Sequence, residues 1–309
     1  MELEFVSALG DLLPPHPHLK LGVGDDAALL HSRTNEVVFA TDLLIDGVHF
    51  DTAEHSPERI GHKALAVNLS DLAAMAVNPV GAVVGLAIPR DPIGEDDAAT
   101  YAARLIRGML PLAERFDCPI AGGDTNVGPG PLVVSVSVVG APTATNPLTR
   151  SGAQAGDWLL VSGELGGSLR GRHLDFTPRV EEALLLNERY KLHAGMDLSD
   201  GLALDLRRLA AMNDLGAVIE ADTVPVSDAA HRISESSGVE PLRHALCDGE
   251  DFELLLAVAP KDGKRMLQEA PIECGLTRIG ELTSERTFLM RDASRSTIPL
   301  PEGGYVHRG

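Results

Sequence analysis

Lys63-Ala64-Leu65-Ala66-Val67-Asn68-Leu69-Ser70-Asp71-Leu72-Ala73-Ala74-Met75-Ala76 is a small-residue apolar run that carries Asn68, Ser70 and Asp71 inside it. From Pro57 onward, Ile60, Ala64, Val67, Asp71 and Met75 recur at spacings of three and four, a helical period that puts Asp71 on the apolar side. An ionised Asp in apolar company is costly unless it is paired or meets a cation. Asp71 therefore either caps the second half of the segment or belongs to a charged site. The chain holds an echo in Asp197-Leu198-Ser199-Asp200-Gly201-Leu202-Ala203, whose Leu-Ser-Asp core repeats Leu69-Ser70-Asp71. The two knots lie roughly 130 residues apart, about one domain length. Two halves meeting at one acidic site are the expected organisation.

The 309 residues suffice for two ordinary domains, each with its own core. A hydrophobic content of 44% with 23% charged residues belongs to a soluble globular chain. The formal net charge of −19 argues against a nucleic-acid or anionic-membrane surface, both of which need clustered Lys and Arg. No run approaches the length of a membrane span, and the start lacks the basic and apolar regions of a signal peptide. A cytoplasmic location is expected. Cys118, Cys247 and Cys274 are odd in number and widely spaced, which indicates neither a disulfide framework nor a zinc site.

Outward from the opening stretch, acidic residues recur beside Gly, Ser or Thr at the ends of apolar elements. Gly22-Val23-Gly24-Asp25-Asp26 sets two carboxylates behind a Gly-x-Gly turn, which is equally readable as a plain Asx turn. Val37 to Ala40 reads as a buried strand ending in Thr41-Asp42, with His49 just beyond. Taken singly, Asp42 is readable as a loop residue and His49 as a structural histidine. Gly122-Gly123-Asp124-Thr125-Asn126 precedes an alternating strand from Leu132 to Val139 and is readable as a hairpin turn or as a phosphate-approaching loop. Pro142 to Pro147 is the best linker candidate, and Arg150 follows it. Asp197 and Asp200, at i and i+3, either face one centre or favour a helix start. Asp248-Gly249-Glu250-Asp251-Phe252-Glu253 leads into a strand, and Gly303-Gly304-Tyr305 lies near the end. Magnesium suits this idiom, as a hard ion that takes one or two carboxylates with water and phosphate oxygens. No segment has EF-hand spacing, and Gly163 to Ser168 is not a Walker A loop.

In order and approximate spacing, six motifs resemble the thiamine-monophosphate kinase family: Gly22 to Ala28, Thr41 to Phe50, Lys63 to Met75, Gly122 to Thr125, Met196 to Leu202 and Gly249 to Leu254. The resemblance implies the two-domain α+β fold of the aminoimidazole ribonucleotide synthetase superfamily, with α/β sandwich domains at 1–145 and 146–309 and the N-terminal domains paired in a homodimer. It implies transfer of the ATP γ-phosphoryl group to thiamine monophosphate, with several Mg²⁺ ions. By the same resemblance Asp26, Asp42, Asp71, Asp124, Asp197 and Asp200 are magnesium ligands, joined by Thr41. Gly123, Asp124, Arg150 and Ser199 contact ATP, and His49, Glu250 and Tyr305 contact the substrate. An ionised acceptor phosphate makes a general base and a phosphoenzyme unnecessary. Another ATP-using synthetase of the superfamily is the alternative, although no Cys precedes Cys118 as a selenophosphate synthetase would lead one to expect. A noncatalytic acidic metal-binding protein is the alternative from a different class.

Overall fold

The computed structural model describes residues 12–21, 29–30, 36–292, 294 and 296–305. The chain divides into two compact units, residues 1–72 with 77–144 and 174–177, and residues 73–76 with 145–173 and 178–309.

In the first unit β1 (Leu19–Leu21) pairs with β2 (Leu29–Leu30). Then follow β3 (Val38–Ile45), α1 (Pro57–Ala74), β4 (Asn78–Pro89), α2 (Ala98–Arg115), β5 (Ile120–Gly128) and β6 (Val133–Ala141). The last four strands of this unit form one sheet in the order β3-β6-β4-β5, in which only the β4–β5 pair is parallel. β3 continues past Thr41-Asp42, because Leu43, Leu44 and Ile45 pair with Ser135, Val134 and Val133. The polar pair thus lies within a strand rather than at its end. Gly122 to Asn126 likewise belong to β5, in parallel register with Val83 to Ala87, and form no hairpin turn.

α1 is one unbroken helix. Pro57 opens it, where a missing N–H costs nothing, and the Ser56 carbonyl accepts the Ile60 N–H at 3.1 Å. Its approach to α2 requires two glycines: a Cβ on Gly61 would stand 1.9 Å from the Leu105 carbonyl oxygen, and one on Gly108 would stand 1.9 Å from that of Glu58. Arg104 ties the pair further, bonding Glu58 at 2.7 Å and ion-pairing with Asp96. Leu65, Leu69 and Leu72 of α1, Leu105 and Met109 of α2, and Val134, Val136 and Val138 of β6 are buried together in this unit's core. The opposite sheet face stays open, with Phe39 69%, Leu43 53% and Val83 42% exposed.

The second unit contains β7 (Trp158–Ser162), α3 (Arg172–Asp175, whose last two residues group with the first unit), α4 (Val180–Arg189), β8 (Leu192–Asp197), α5 (Leu202–Met212), β9 (Gly216–Glu220), α6 (Asp228–Ser237), α7 (Pro241–Cys247), β10 (Leu254–Val258), α8 (Pro260–Glu269), β11 (Leu276–Thr283), β12 (Phe288–Arg291) and β13 (Thr297–Pro299). Its sheet runs β13-β12-β9-β11-β7-β10-β8. Every residue of β10 is buried, as expected of an interior strand covered on both faces. No helix of the described residues is long and apolar enough to cross a membrane.

Candidate active site

In the first unit the site is organised by the β3–α1 contact. Asn68, fully buried, accepts the main-chain N–H of Asp42 at 3.0 Å on Oδ1 and donates from Nδ2 to the Ala64 carbonyl at 2.9 Å. Asp71 follows Asn68 by one helical turn and so faces the same side. It stands inside the last turn of α1, not at a helix start, so the capping alternative fails. A negative charge in a last turn opposes the helix dipole, and that turn contains no basic residue. As a carboxylate, Asp71 is of the oxygen-donor type that magnesium takes.

His49 accepts the Ile45 N–H at 3.1 Å on Nδ1, so in the neutral ring Nε2 carries the hydrogen. Lys63, fully buried, donates to the His49 carbonyl at 2.7 Å and anchors the loop after β3. Sequence reasoning gave Lys63 no role; its place within an apolar helical face was the signal.

Thr41 points to the open face, opposite Asp42. Its hydroxyl donates to the Val136 carbonyl at 3.1 Å and accepts from Ser137 at 2.9 Å. Asp124 shares that open face through its register with Gly85, and Asn126 donates to it at 3.0 Å. β3 and β5 are opposite edges of the sheet, about 14 Å apart over three strand spacings. The first unit alone therefore does not bring Asp124 to Asp42 and Asp71. Gly123 needs its hydrogen side chain, since a Cβ would lie 1.8 Å from the Val84 carbonyl oxygen. Asp26 lies outside the described residues.

In the second unit five expected residues converge. Asp197 ends β8 opposite Leu254, and Ser199 and Asp200 form the turn into α5. The Glu250 N–H donates to the Ser199 carbonyl at 2.7 Å, the Phe252 N–H to Leu198 at 2.8 Å, and the Tyr305 N–H to Asp200 at 2.9 Å. Glu250 (φ 56°) and Phe252 (φ 50°) both adopt the left-handed conformation, a strain that non-Gly residues hold only where the surroundings impose it. The Arg150 carbonyl is bonded by Asn213, just past the C-terminus of α5. Asp200 stands at the other end of that helix, and its length of about 16 Å separates the two backbones.

Sequence reasoning missed Asp205. It is fully buried, accepts the Asp200 N–H at 2.9 Å and pairs with Arg208 at 2.9 Å; Arg208 also pairs with Asp200. Burial pushes the Asp205 carboxyl up to about 6, against the Asp200 N–H and with added repulsion from Asp200 and Asp197. The signal was an Asp on the same helical face as Leu202, Leu206 and Leu209. Also missed was the buried pair Asp251 and Glu253. Asp251 accepts from Gly166 N–H at 2.9 Å and from Ser168 at 2.5 Å, and burial pushes it up to about 7. Glu253 accepts from Ser162 at 2.6 Å and from Arg179 at 2.6 and 2.7 Å, and pairs with Arg172.

Among the described residues, one group of three His, Cys, Asp or Glu brings its ligand atoms within 4.8 Å, namely His16, His18 and Asp117. His16 Nδ1 accepts the His18 N–H at 3.2 Å. Its Nε2 therefore bears the hydrogen that meets Asp117 at 2.8 Å, which makes a hydrogen-bonded clamp rather than a ligand set. The expected aspartates form no such preassembled cage within the described residues.

The model of AIR synthase related protein, N-terminal domain, matches residues 24–141, and that of the C-terminal domain matches residues 143–291. The chain is 39% identical to a thiamine-monophosphate kinase of Rhodopirellula baltica, over 99% of this chain and 97% of that one. The crystal structure of thiamine-monophosphate kinase from Stenotrophomonas maltophilia is similar with a TM-score of 0.78 and 33% identity, over 93% of this chain and 95% of that one. A solved structure of AaThiL complexed with AMPPCP and TMP aligns with a TM-score of 0.76 and 28% identity, over 93% of this chain and 92% of that chain.

Proposed function

The chain belongs to the AIR synthase related family, and on that premise we propose that it is a thiamine-monophosphate kinase. It transfers the γ-phosphoryl group of ATP to thiamine monophosphate, giving thiamine diphosphate and ADP. The carrying observation is the 39% identity to a kinase of that name along practically the whole of both chains.

Asp42, Asp71, Asp124, Asp197 and Asp200, with Asp26 from the resemblance, would hold magnesium. When bound, magnesium offsets the repulsion between ATP, the acceptor phosphate and these carboxylates, and aligns the two phosphates. Thr41 would join as an oxygen donor: its hydroxyl donates to Val136 and accepts from Ser137, which leaves one lone pair for an ion. Gly123 would contact ATP through its backbone, and its missing side chain is what the close approach of Val84 in β4 requires. Ser199 and Arg150 are the other ATP contacts. Glu250 faces the thiazolium cation with its carboxylate, Tyr305 offers an aromatic face to it, and His49 is the third substrate contact. The acceptor phosphate is mostly ionised at neutral pH, so the chain provides positioning and charge balance, and no residue acts as a general base.

A homodimer is part of this proposal. Phe39, Leu43 and Val83 form an exposed apolar face on the first unit, the kind of patch that marks an association surface. A second copy would cover it and supply an Asp124 to the Asp42 and Asp71 edge that this chain's own β5 does not reach. The cytoplasm is the proposed compartment, in keeping with three unpaired cysteines. The test is to mix the purified protein with ATP, Mg²⁺ and thiamine monophosphate. Thiamine diphosphate and ADP should appear in equal amounts. ADP without thiamine diphosphate, or preference for an unrelated phosphate, refutes the proposal.

A further inference from the structure

The segment that carries Glu250 is strained and is held from outside. Glu250 and Phe252 are both left-handed, with two buried carboxylates, Asp251 and Glu253, interleaved with them. Gly166 and Ser168 fix Asp251, while Ser162 and two guanidinium groups fix Glu253. One guanidinium belongs to Arg172, which also donates to the Glu164 carbonyl at 2.9 Å. Its neighbour His173 turns to the other end of the segment. His173 Nδ1 lies 2.8 Å from Glu250 Oε2, with the imidazole side chain 6% exposed and the Glu250 side chain 20% exposed. A carboxylate only accepts, so Nδ1 carries the hydrogen of this contact. Arg172 and His173 thus grip the Glu250–Glu253 segment at both ends from one short stretch of chain.

We infer that His173 is the positioning residue for Glu250, fixing the carboxylate in the orientation in which it meets the thiazolium cation of the substrate. A glutamate alone loses considerable rotamer freedom on meeting a ligand, whereas one already bonded by a buried N–H has lost it before the substrate arrives. This inference rests on the reading of Glu250 as a substrate contact.

Steady-state kinetics of His173→Ala, His173→Asn, Glu250→Gln and the His173→Ala/Glu250→Gln double variant test it. His173→Ala should raise the KM for thiamine monophosphate about tenfold, the scale of one lost charge-assisted hydrogen bond. The KM for ATP and kcat should stay within about twofold. His173→Asn, whose amide N–H stands near the Nδ1 position, should restore most of the substrate KM. His173→Ala should add nothing in the Glu250→Gln background. Equal changes in both KM values, no change in either, failure of Asn to restore, or multiplicative effects in the double variant would overturn the inference. Should His173→Ala fail to fold in a melting assay, His173→Asn against His173→Gln decides. A weaker substrate KM only for Gln, whose amide reaches toward the Nε2 position, supports the role, and equal values overturn it. Glu250→Gln with an unchanged substrate KM removes the substrate reading together with this one. Glu250→Gln that raises it while His173→Ala does not overturns the His173 role alone.

Discussion

The main-chain N–H of Asp42 donates to the side-chain oxygen of the buried Asn68 at 3.0 Å, which locks an edge strand to the helix whose last turn carries Asp71. The contact gives both aspartates a fixed frame without using either carboxylate.

Asp71→Asn separates function from fold. The variant should still fold and melt cooperatively. Turnover should fall about 100-fold or more if the carboxylate holds magnesium. A thermal melt and a kcat measurement on one preparation check both, and near-normal kcat removes Asp71 from the site.

Leu43→Glu places a charge on the open sheet face, where the side chain is 53% exposed in the isolated chain. Light scattering after size exclusion should show a dimer for the wild type and a monomer for the variant. Mixed dimers of Asp42→Asn and Asp124→Asn protomers should recover up to about a quarter of wild-type activity, since half the dimers in a twofold-symmetric mixture then hold one intact site of two. No recovery contradicts sharing of the site between protomers.

Asp251 makes stability depend on pH. Its folded-state carboxyl is raised from 3.8 to about 7, chiefly by burial. The folded state therefore holds the proton more tightly than the unfolded chain. The associated stability is fully present below pH 4 and is lost as pH climbs toward 7, by about 1.4 kcal/mol for each pH unit crossed between the two values. Asp251→Asn lacks this titration, so the stability of the wild type relative to the variant should decline between about pH 4 and 7 and level off above. Parallel denaturant titrations read the difference, and a flat difference contradicts the burial account.

Glu253→Gln should destabilise the protein by about 3–5 kcal/mol in urea unfolding, because the Arg172 and Arg179 guanidinium groups would lose a buried counter-charge. A loss below about 1 kcal/mol would place the pair in effective contact with solvent.

The elements with strong periodicity were legible in the sequence. The helix through Asp71, the amphipathic start of α5 and the apolar strand β10 follow from spacing alone, because each buries a continuous face. Thr41 to Asp42 and Gly122 to Asn126 were misplaced at strand ends or turns, since what keeps them in strands is pairing with residues elsewhere in the chain: Ser137 and Val136 for the first, Val83 to Ala87 for the second. The aspartates expected at the site stood out as motifs. Asp205, Lys63, Asp251 and Glu253 had no visible role, because a buried charge has meaning only beside its partner. Ser162 and Arg172 stand 91 and 81 residues from Glu253 in sequence, a separation that no local pattern spans.

Rapid-quench kinetics with γ-labelled ATP and thiamine monophosphate test the central claim most directly. The label should pass into the terminal phosphate of thiamine diphosphate in step with ADP, with none held on the protein at any time. A kinetically competent labelled protein, or ADP formed without labelled thiamine diphosphate, would contradict it.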